Sequence, residues 1–325
     1  MKKILSLCLA ALLTVSLLAL SACGAKIDPE LDVRIMVLNG TTGFGMAKLM
    51  NDDDNDRTLL DYEIDVETDA SNITFALING DVDIAALPTN AASVVYNRSE
   101  GKVQILAINT LGVLYLLANG ETVTDFESLR GKTVYVPAQN PTFIFKALCE
   151  ANGLTVGEDV FIDNSYAQPA DLRTAVASGK VTLAVLPEPM VTIVKSANAS
   201  VSVAMDLTDE WDKVFEAGSL VQGCVVVRRA FAEAHPAEVE QFLKDYEASI
   251  RYLNENPADA ARMIAEEEIF ANAAVAEKAI PNCNVTFVAG KEMKTAMVKF
   301  LEIMHGVAPA SVGGALPGDD FYYGK

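Results

Sequence analysis

The chain has 325 residues, 51% of them hydrophobic, and carries 44 acidic against 25 basic side chains for a formal net charge of −19. Such an acid excess repels polyanions and anionic lipid headgroups, which argues against nucleic acid as a partner. The length exceeds what one hydrophobic core ordinarily serves and suits two lobes.

In chain order, Lys2 and Lys3 precede an apolar run from Ile4 to Leu20, and Leu20-Ser21-Ala22-Cys23 places small residues before a cysteine. A charged start, an apolar centre and a small-residue cut read as a secretion signal over residues 1–22. The cysteine at the cut resembles a bacterial lipobox, which implies lipidation of Cys23 and a tether over residues 23–31. No later stretch approaches the ~20 apolar residues that span a bilayer. The expected location is extracytoplasmic, anchored to the cell membrane by lipid alone. Of the other cysteines, Cys8 falls in the signal. Cys149, Cys224 and Cys283 are widely spaced and odd in number, so they read as buried thiols, with one bridge left open.

Strands then alternate with helices. Val33–Leu38 reads as a strand and Phe44–Met50 as the start of a helix. Val82–Leu87, Val103–Asn109 and Val113–Ala118 read as further strands. Alternation on this scale predicts an α/β fold with mostly parallel sheets. From Phe231 the pattern turns helical, over Ala237–Asn254, Pro257–Glu268 and Lys291–His305, with Pro236 and Pro257 where helices should begin.

The most informative feature is a repeat. Ala76–Pro88 (ALINGDVDIAALP) returns 99 residues later as Ala175–Pro187 (AVASGKVTLAVLP). The same offset pairs Ile35 with Val134, Val37 with Val136, Phe44 with Phe143 and Leu49 with Leu148. Two matches in one register predict two lobes on a common βαβ plan. In open α/β sheets ligands sit beyond the carboxyl ends of strands, near helix N-termini. Four turns qualify: 39–45 and 87–90 in lobe I, 138–143 and 186–190 in lobe II. Candidate crossings between lobes lie near Asn109-Thr110 and Ser219–Gln222.

Together the lipobox, the Gly/Thr-rich turn after the first strand and Gly80-Asp81-Val82-Asp83-Ile84-Ala85 resemble the aliphatic-sulfonate, nitrate and thiamine-pyrimidine binding proteins of ABC importers. The resemblance covers the whole chain after the signal. It implies a two-lobed type II periplasmic-binding-protein fold, with lobe I as residues 32–109 and 221–325 and lobe II as residues 110–220. It also implies a monomer that captures a small molecule between the lobes and hands it to an ABC permease and its ATPase. Leu186-Pro187-Glu188-Pro189 stands where several members carry a Glu-Pro or Asp-Pro at the cleft.

The ligand contacts expected from the turns are Thr41, Thr42, Gly43 and Phe44, then Thr89 and Asn90, then Gln139, Asn140 and Thr142, and finally Glu188. Each also has a plainer reading. The hydroxyl and amide residues cap helices, Phe44 packs in the core, and Glu188 complements a helix dipole. None of the four turns contains Lys or Arg. A carboxylate without a cation suits a neutral or amino-bearing heterocycle, such as a thiamine-type pyrimidine, better than sulfonate, taurine or nitrate. A sensor lipoprotein on the same fold is another reading. A pyrimidine-synthase-like enzyme is a further one, but its clustered cysteines are missing, so no catalytic residue and no cofactor are assigned.

Three motifs mislead. Gly131-Lys132-Thr133 lacks the first glycine of a phosphate-binding loop, since Phe126 stands there. Asn51–Asp56 hints at a calcium loop, but Arg57 replaces the turn glycine, so a solvated loop is expected. His235 and His305 are too far apart to suggest a metal site.

Overall fold

A computed structural model describes residues 26–324. The signal and Cys23 lie outside the described residues. The end of the tether docks on the body: Ile27 and Leu31 pack against lobe I apolar side chains, and the Asp28 amide donates to Glu238 at 2.8 Å.

Two sheets form the molecule. The first has the order β11-β4-β10-β3-β1-β2, from β1 (Asp32–Leu38), β2 (Asp61–Glu67), β3 (Ile84–Pro88), β4 (Val103–Thr110), β10 (Gly223–Arg228) and β11 (Val285–Ala289). The second has the order β7-β6-β8-β5-β9, from β5 (Leu114–Asn119), β6 (Thr133–Tyr135), β7 (Phe161–Asp163), β8 (Leu183–Pro187) and β9 (Val201–Asp206). Each sheet has a parallel trio with its first strand in the middle: β2-β1-β3 and β7-β6-β8. The pairing Met36↔Ala85 in one becomes Tyr135↔Ala184 in the other, both shifted by the repeat offset.

The sheets are mixed, not mostly parallel. Beside β3 runs antiparallel β10, and beside β8 runs antiparallel β5. These are the strands that follow the two crossings, residues 111–113 and 215–222. A strand arriving from the other lobe enters from the opposite end, and alternation alone does not reveal that.

The repeat extends to the backbone. β3 and β8 have matching bounds at the 99-residue offset, and each follows a helix, Ala70–Asn79 or Pro169–Ala177. Gly80 closes the first at φ 87°, and Gly179 has φ 75°. Both are left-handed positions that glycine takes without a Cβ clash. Pro236 and Pro257 start the helices Pro236–Glu255 and Pro257–Glu266, where a missing N–H costs nothing.

The Gly-Asp-Val-Asp signature serves the fold. Val82 is buried, and the Asp83 carboxylate, 4% exposed, is paired with Arg34 of β1 at 3.0 Å and with Arg228 of β10. One buried acid thus ties three adjacent strands. The acidic loop at 51–56 is met by Arg57, which donates to Asp52 at 2.7 Å and to the Asn51 side chain at 2.8 Å.

Candidate functional site

At the carboxyl ends of β1, β3 and β8 the lobes face each other around a cavity of about 470 Å³. Residues 38–42, Thr68 and Pro88 come from the ends of strands of the first sheet and the turns beyond them, and Phe270 from the segment after the helix Pro257–Glu266. The facing sheet supplies Asn140, Pro141, residues 168–170 and residues 187–190, and the crossings add Thr110, Val113 and Gln222. These turns occupy equivalent places because the helices that follow β1 and β6 begin one repeat apart, at Thr41 and Asn140. Gly40 (φ 81°, ψ −154°) and Gln139 (φ 68°, ψ −132°), one repeat apart, each precede the first helix of their lobe with nearly the same unusual backbone.

Four of the ten expected contacts line this cavity: Thr41, Thr42, Asn140 and Glu188. Thr41 bridges the lobes, its hydroxyl donating to the Glu188 carbonyl at 2.9 Å. The Glu188 carboxylate accepts from the Thr192 amide at 3.1 Å and its hydroxyl at 3.0 Å, so it caps the helix Met190–Ala197. Burial raises its pKa, partly opposed by the Thr192 bonds. Helix cap and cavity wall therefore coincide in one side chain. Asn140 is 9% exposed, and its Oδ1 has no hydrogen-bond partner.

The other six sit elsewhere. Phe44 is wholly buried, edge-on to Phe270 with ring centroids 6.1 Å apart, so it pins its helix to the core. A Cβ on Gly43 would stand 2.7 Å from the Leu38 carbonyl oxygen, which explains the glycine by packing alone. Thr89 is buried beside the Cys224 thiol. The Thr142 hydroxyl donates to the Pro137 carbonyl at 2.7 Å and accepts from Asn164 at 2.8 Å. Asn90 and Gln139 line a neighbouring chamber instead.

Sequence reasoning missed Gln168, Gln222 and Phe270. Gln168 was recoverable, because it stands one repeat after Asp69 and both precede matched helices. Gln222 sits in a crossing and uses its Oε1 to accept from the Val113 amide at 2.7 Å. Phe270 comes from the bend between the helices Pro257–Glu266 and Ala273–Ala279, far along the chain, and carried no signal.

No lining residue is Lys or Arg, and Glu188 is the one charged side chain among them. A separate groove of about 350 Å³ on lobe I holds Lys48, Arg57 and Asp245. Most of its charges are engaged with one another or with neighbours, Lys48 and Arg57 with Asp52, and Asp245 with the Tyr62 hydroxyl, while Arg251 and Glu255 also line it.

The model of the NMT1/THI5-like proteins matches residues 58–260. The chain belongs to that family. A search of curated proteins finds no match. Among solved structures, an ABC transporter protein from Parabacteroides distasonis superposes with a TM-score of 0.75 at 23% identity, over 91% of this chain and 99% of that one. The periplasmic aliphatic sulphonate binding protein SsuA from Escherichia coli gives a TM-score of 0.70 at 15% identity, over 87% and 95%. The periplasmic nitrate-binding protein NrtA from Synechocystis PCC 6803 gives 0.59 at 14%, over 77% and 70%. These likenesses establish the two-lobed periplasmic-binding fold for this member of the NMT1/THI5-like family.

Proposed function

We propose that this protein is the solute-binding component of an ABC importer and captures a neutral or amino-bearing heterocycle, such as a thiamine-type pyrimidine, between its lobes. The observation that carries the ligand class is the chemistry of the central cavity. Its lining includes Asn140, whose buried Oδ1 is unpartnered, and Glu188, and it includes no cation. Acceptors facing a cavity suit N–H donors on the ligand, and an unmet buried acceptor costs about 1–3 kcal/mol until a donor arrives.

The lobes are residues 32–109 with 221–325, and residues 110–220. The signal 1–22 is removed, Cys23 is lipidated, and the lobes work outside the cytoplasm as a monomer. The cleft closes on the ligand, and the closed form docks on a permease served by an ATPase. The role is binding, without catalysis.

A second reading takes sulfonate, taurine or nitrate as ligand. It is favoured by the fold shared with SsuA and NrtA, and by the helix N-termini at the cleft, whose N–H groups attract anions.

A thermal-shift screen of the full chain in mild detergent separates the two. The panel is 4-amino-5-hydroxymethyl-2-methylpyrimidine, cytosine, an alkylsulfonate, taurine and nitrate. A ligand at 100 times its Kd adds about 2.7 kcal/mol. Stabilisation by an aminopyrimidine, lost in the double variant Thr42→Val with Asn140→Ala, is the expected result. Stabilisation by an anion alone would overturn the heterocycle reading.

A further inference from the structure

Beside the central cavity lies a second chamber of about 490 Å³. Its walls are one face of the helix Ala70–Asn79, at Thr74 and Phe75, and one face of the helix Thr89–Arg98, at Asn90, Val94 and Arg98. Gln139 reaches it from the facing lobe. The two chambers adjoin across two turns. Pro88 lines the first and Asn90 the second, while Asn140 lines the first and its neighbour Gln139 the second.

Two features mark this chamber as built for a ligand. Asn90 is 9% exposed, its Nδ2 is held by the Ser311 carbonyl at 3.5 Å, and its Oδ1 has no partner. The free Oδ1 is an acceptor left without a donor. Arg98 is exposed at the other end of the same helix face and forms no ion pair among the described residues. In a chain of net charge −19, an unengaged guanidinium on a cavity wall is a local reversal of sign that suits an anion. Phe75, 61% exposed, and Val94 supply apolar wall between the polar ends.

We propose that the chamber is a second subsite of the cleft and that the ligand is elongated. An amino-heterocycle occupies the central cavity, and a hydroxyl- or amide-bearing arm passes Gln139 to donate to Asn90 Oδ1. The arm ends in an anionic group on Arg98. This rests on the heterocycle reading above and extends it to a nucleotide-like class of ligand.

Cytosine, cytidine and cytidine 5′-monophosphate add the arm and then the charge, and calorimetric titration of the full chain in detergent reads each step. The expected result is that cytidine binds several-fold tighter than cytosine and the monophosphate at least tenfold tighter than cytidine. Arg98→Gln should erase the second gain and Asn90→Leu the first. Equal affinity for cytosine and the monophosphate would overturn the second subsite while leaving the heterocycle reading standing. Binding of none of the three would remove this extension together with its cytosine head. The monophosphate gain surviving in Arg98→Gln would place the anion elsewhere and refute the assignment.

Discussion

Gln139 offers a prediction whose sign runs against ordinary expectation. With φ 68° and ψ −132° it holds a backbone conformation that belongs almost wholly to glycine, and its repeat partner Gly40 is a glycine. A side chain in such a region costs about 1–3 kcal/mol. The Gln139 side chain is exposed and makes no hydrogen bond among the described residues, so little is lost by removing it. Glycine returns about 0.5–1 kcal/mol through the greater freedom of the unfolded chain. Gln139→Gly should therefore stabilise the fold by about 1 kcal/mol, a rise in Tm of about 2 °C for a chain of this size. Gln139→Ala keeps the Cβ and the strain, and should stay within about 0.5 kcal/mol of the parent. Guanidinium denaturation measures all three, with the midpoint moving and the slope unchanged. A glycine variant no more stable than the alanine variant would refute the strain argument.

Three further outcomes follow from buried charge and burial. Asp83→Asn strands Arg34 and Arg228, and should cost about 3 kcal/mol, the low end for a broken buried pair because those arginines are 39% and 22% exposed; a denaturation midpoint unchanged from the parent would show that the signature acid is not holding the strands. Burial raises the Glu188 pKa in the folded chain, so its contribution is fully present below the ordinary value of 4.5 and is lost as pH rises through the folded value. Glu188→Gln removes that loss, and stability-versus-pH curves for the two chains should separate as pH climbs from 4.5, whereas parallel curves would deny the shift. Burial pushes the Cys149 and Cys224 thiols up to about 12, and Cys283 is raised in the same way, so the three should ignore iodoacetamide at pH 8 until the chain unfolds; rapid native alkylation of any of them would count against the packing described.

The repeat was the legible part of the architecture, because a strand-turn-helix unit is written locally. The offset between Ala76–Pro88 and Ala175–Pro187 placed β3 and β8 in equivalent positions, and Pro236 and Pro257 marked helix starts correctly. The direction of β5 and β10 was not legible, since it depends on which lobe the chain has just left. For the same reason the turns were identified better than their side chains. Thr41 and Asn140 start helices whose first residues line the cavity, while Phe44, one turn after Thr41, and Thr89, one residue after the cavity-lining Pro88, are buried in packed interior. Residue type could not separate them, because a threonine that caps a helix and one that lines a cleft look alike until the facing sheet is in place. Phe270 shows the other limit. It reaches the cavity through a helical region more than 200 residues from the turn it joins, and nothing in its neighbours in the chain encodes that contact.

The distribution of interlobe contacts bears on how a cleft of this kind opens. At its mouth the lobes are joined by polar bonds, Thr41 to the Glu188 carbonyl and the Tyr115 hydroxyl to the Asn282 carbonyl at 3.0 Å. Each exchanges readily for water and is worth about 0.5–1.5 kcal/mol net. The crossings are bound more tightly to each other. The Gln222 amide donates to the Thr110 carbonyl at 3.0 Å, and a Cβ on Gly112 would stand 2.7 Å from Leu220 Cδ2 of the other crossing and 2.2 Å from Thr208 Oγ1 of the helix Leu207–Val214, so a glycine is needed there. Behind them the apolar core runs unbroken between lobes, with Trp211 wholly buried and its ring 6.1 Å from Phe300 on the helix Gly290–Val307. Exposing either ring would cost about 2–3 kcal/mol. An opening that breaks the two polar bonds and spares the crossings and this aromatic contact would be the least costly one. With so few polar bonds favouring closure, a ligand that touches Thr42 and Asn140 at once shifts the balance by its own differential affinity for the closed form. On the function proposed above, closure would report occupancy, the property by which a permease could tell a loaded binding protein from an empty one.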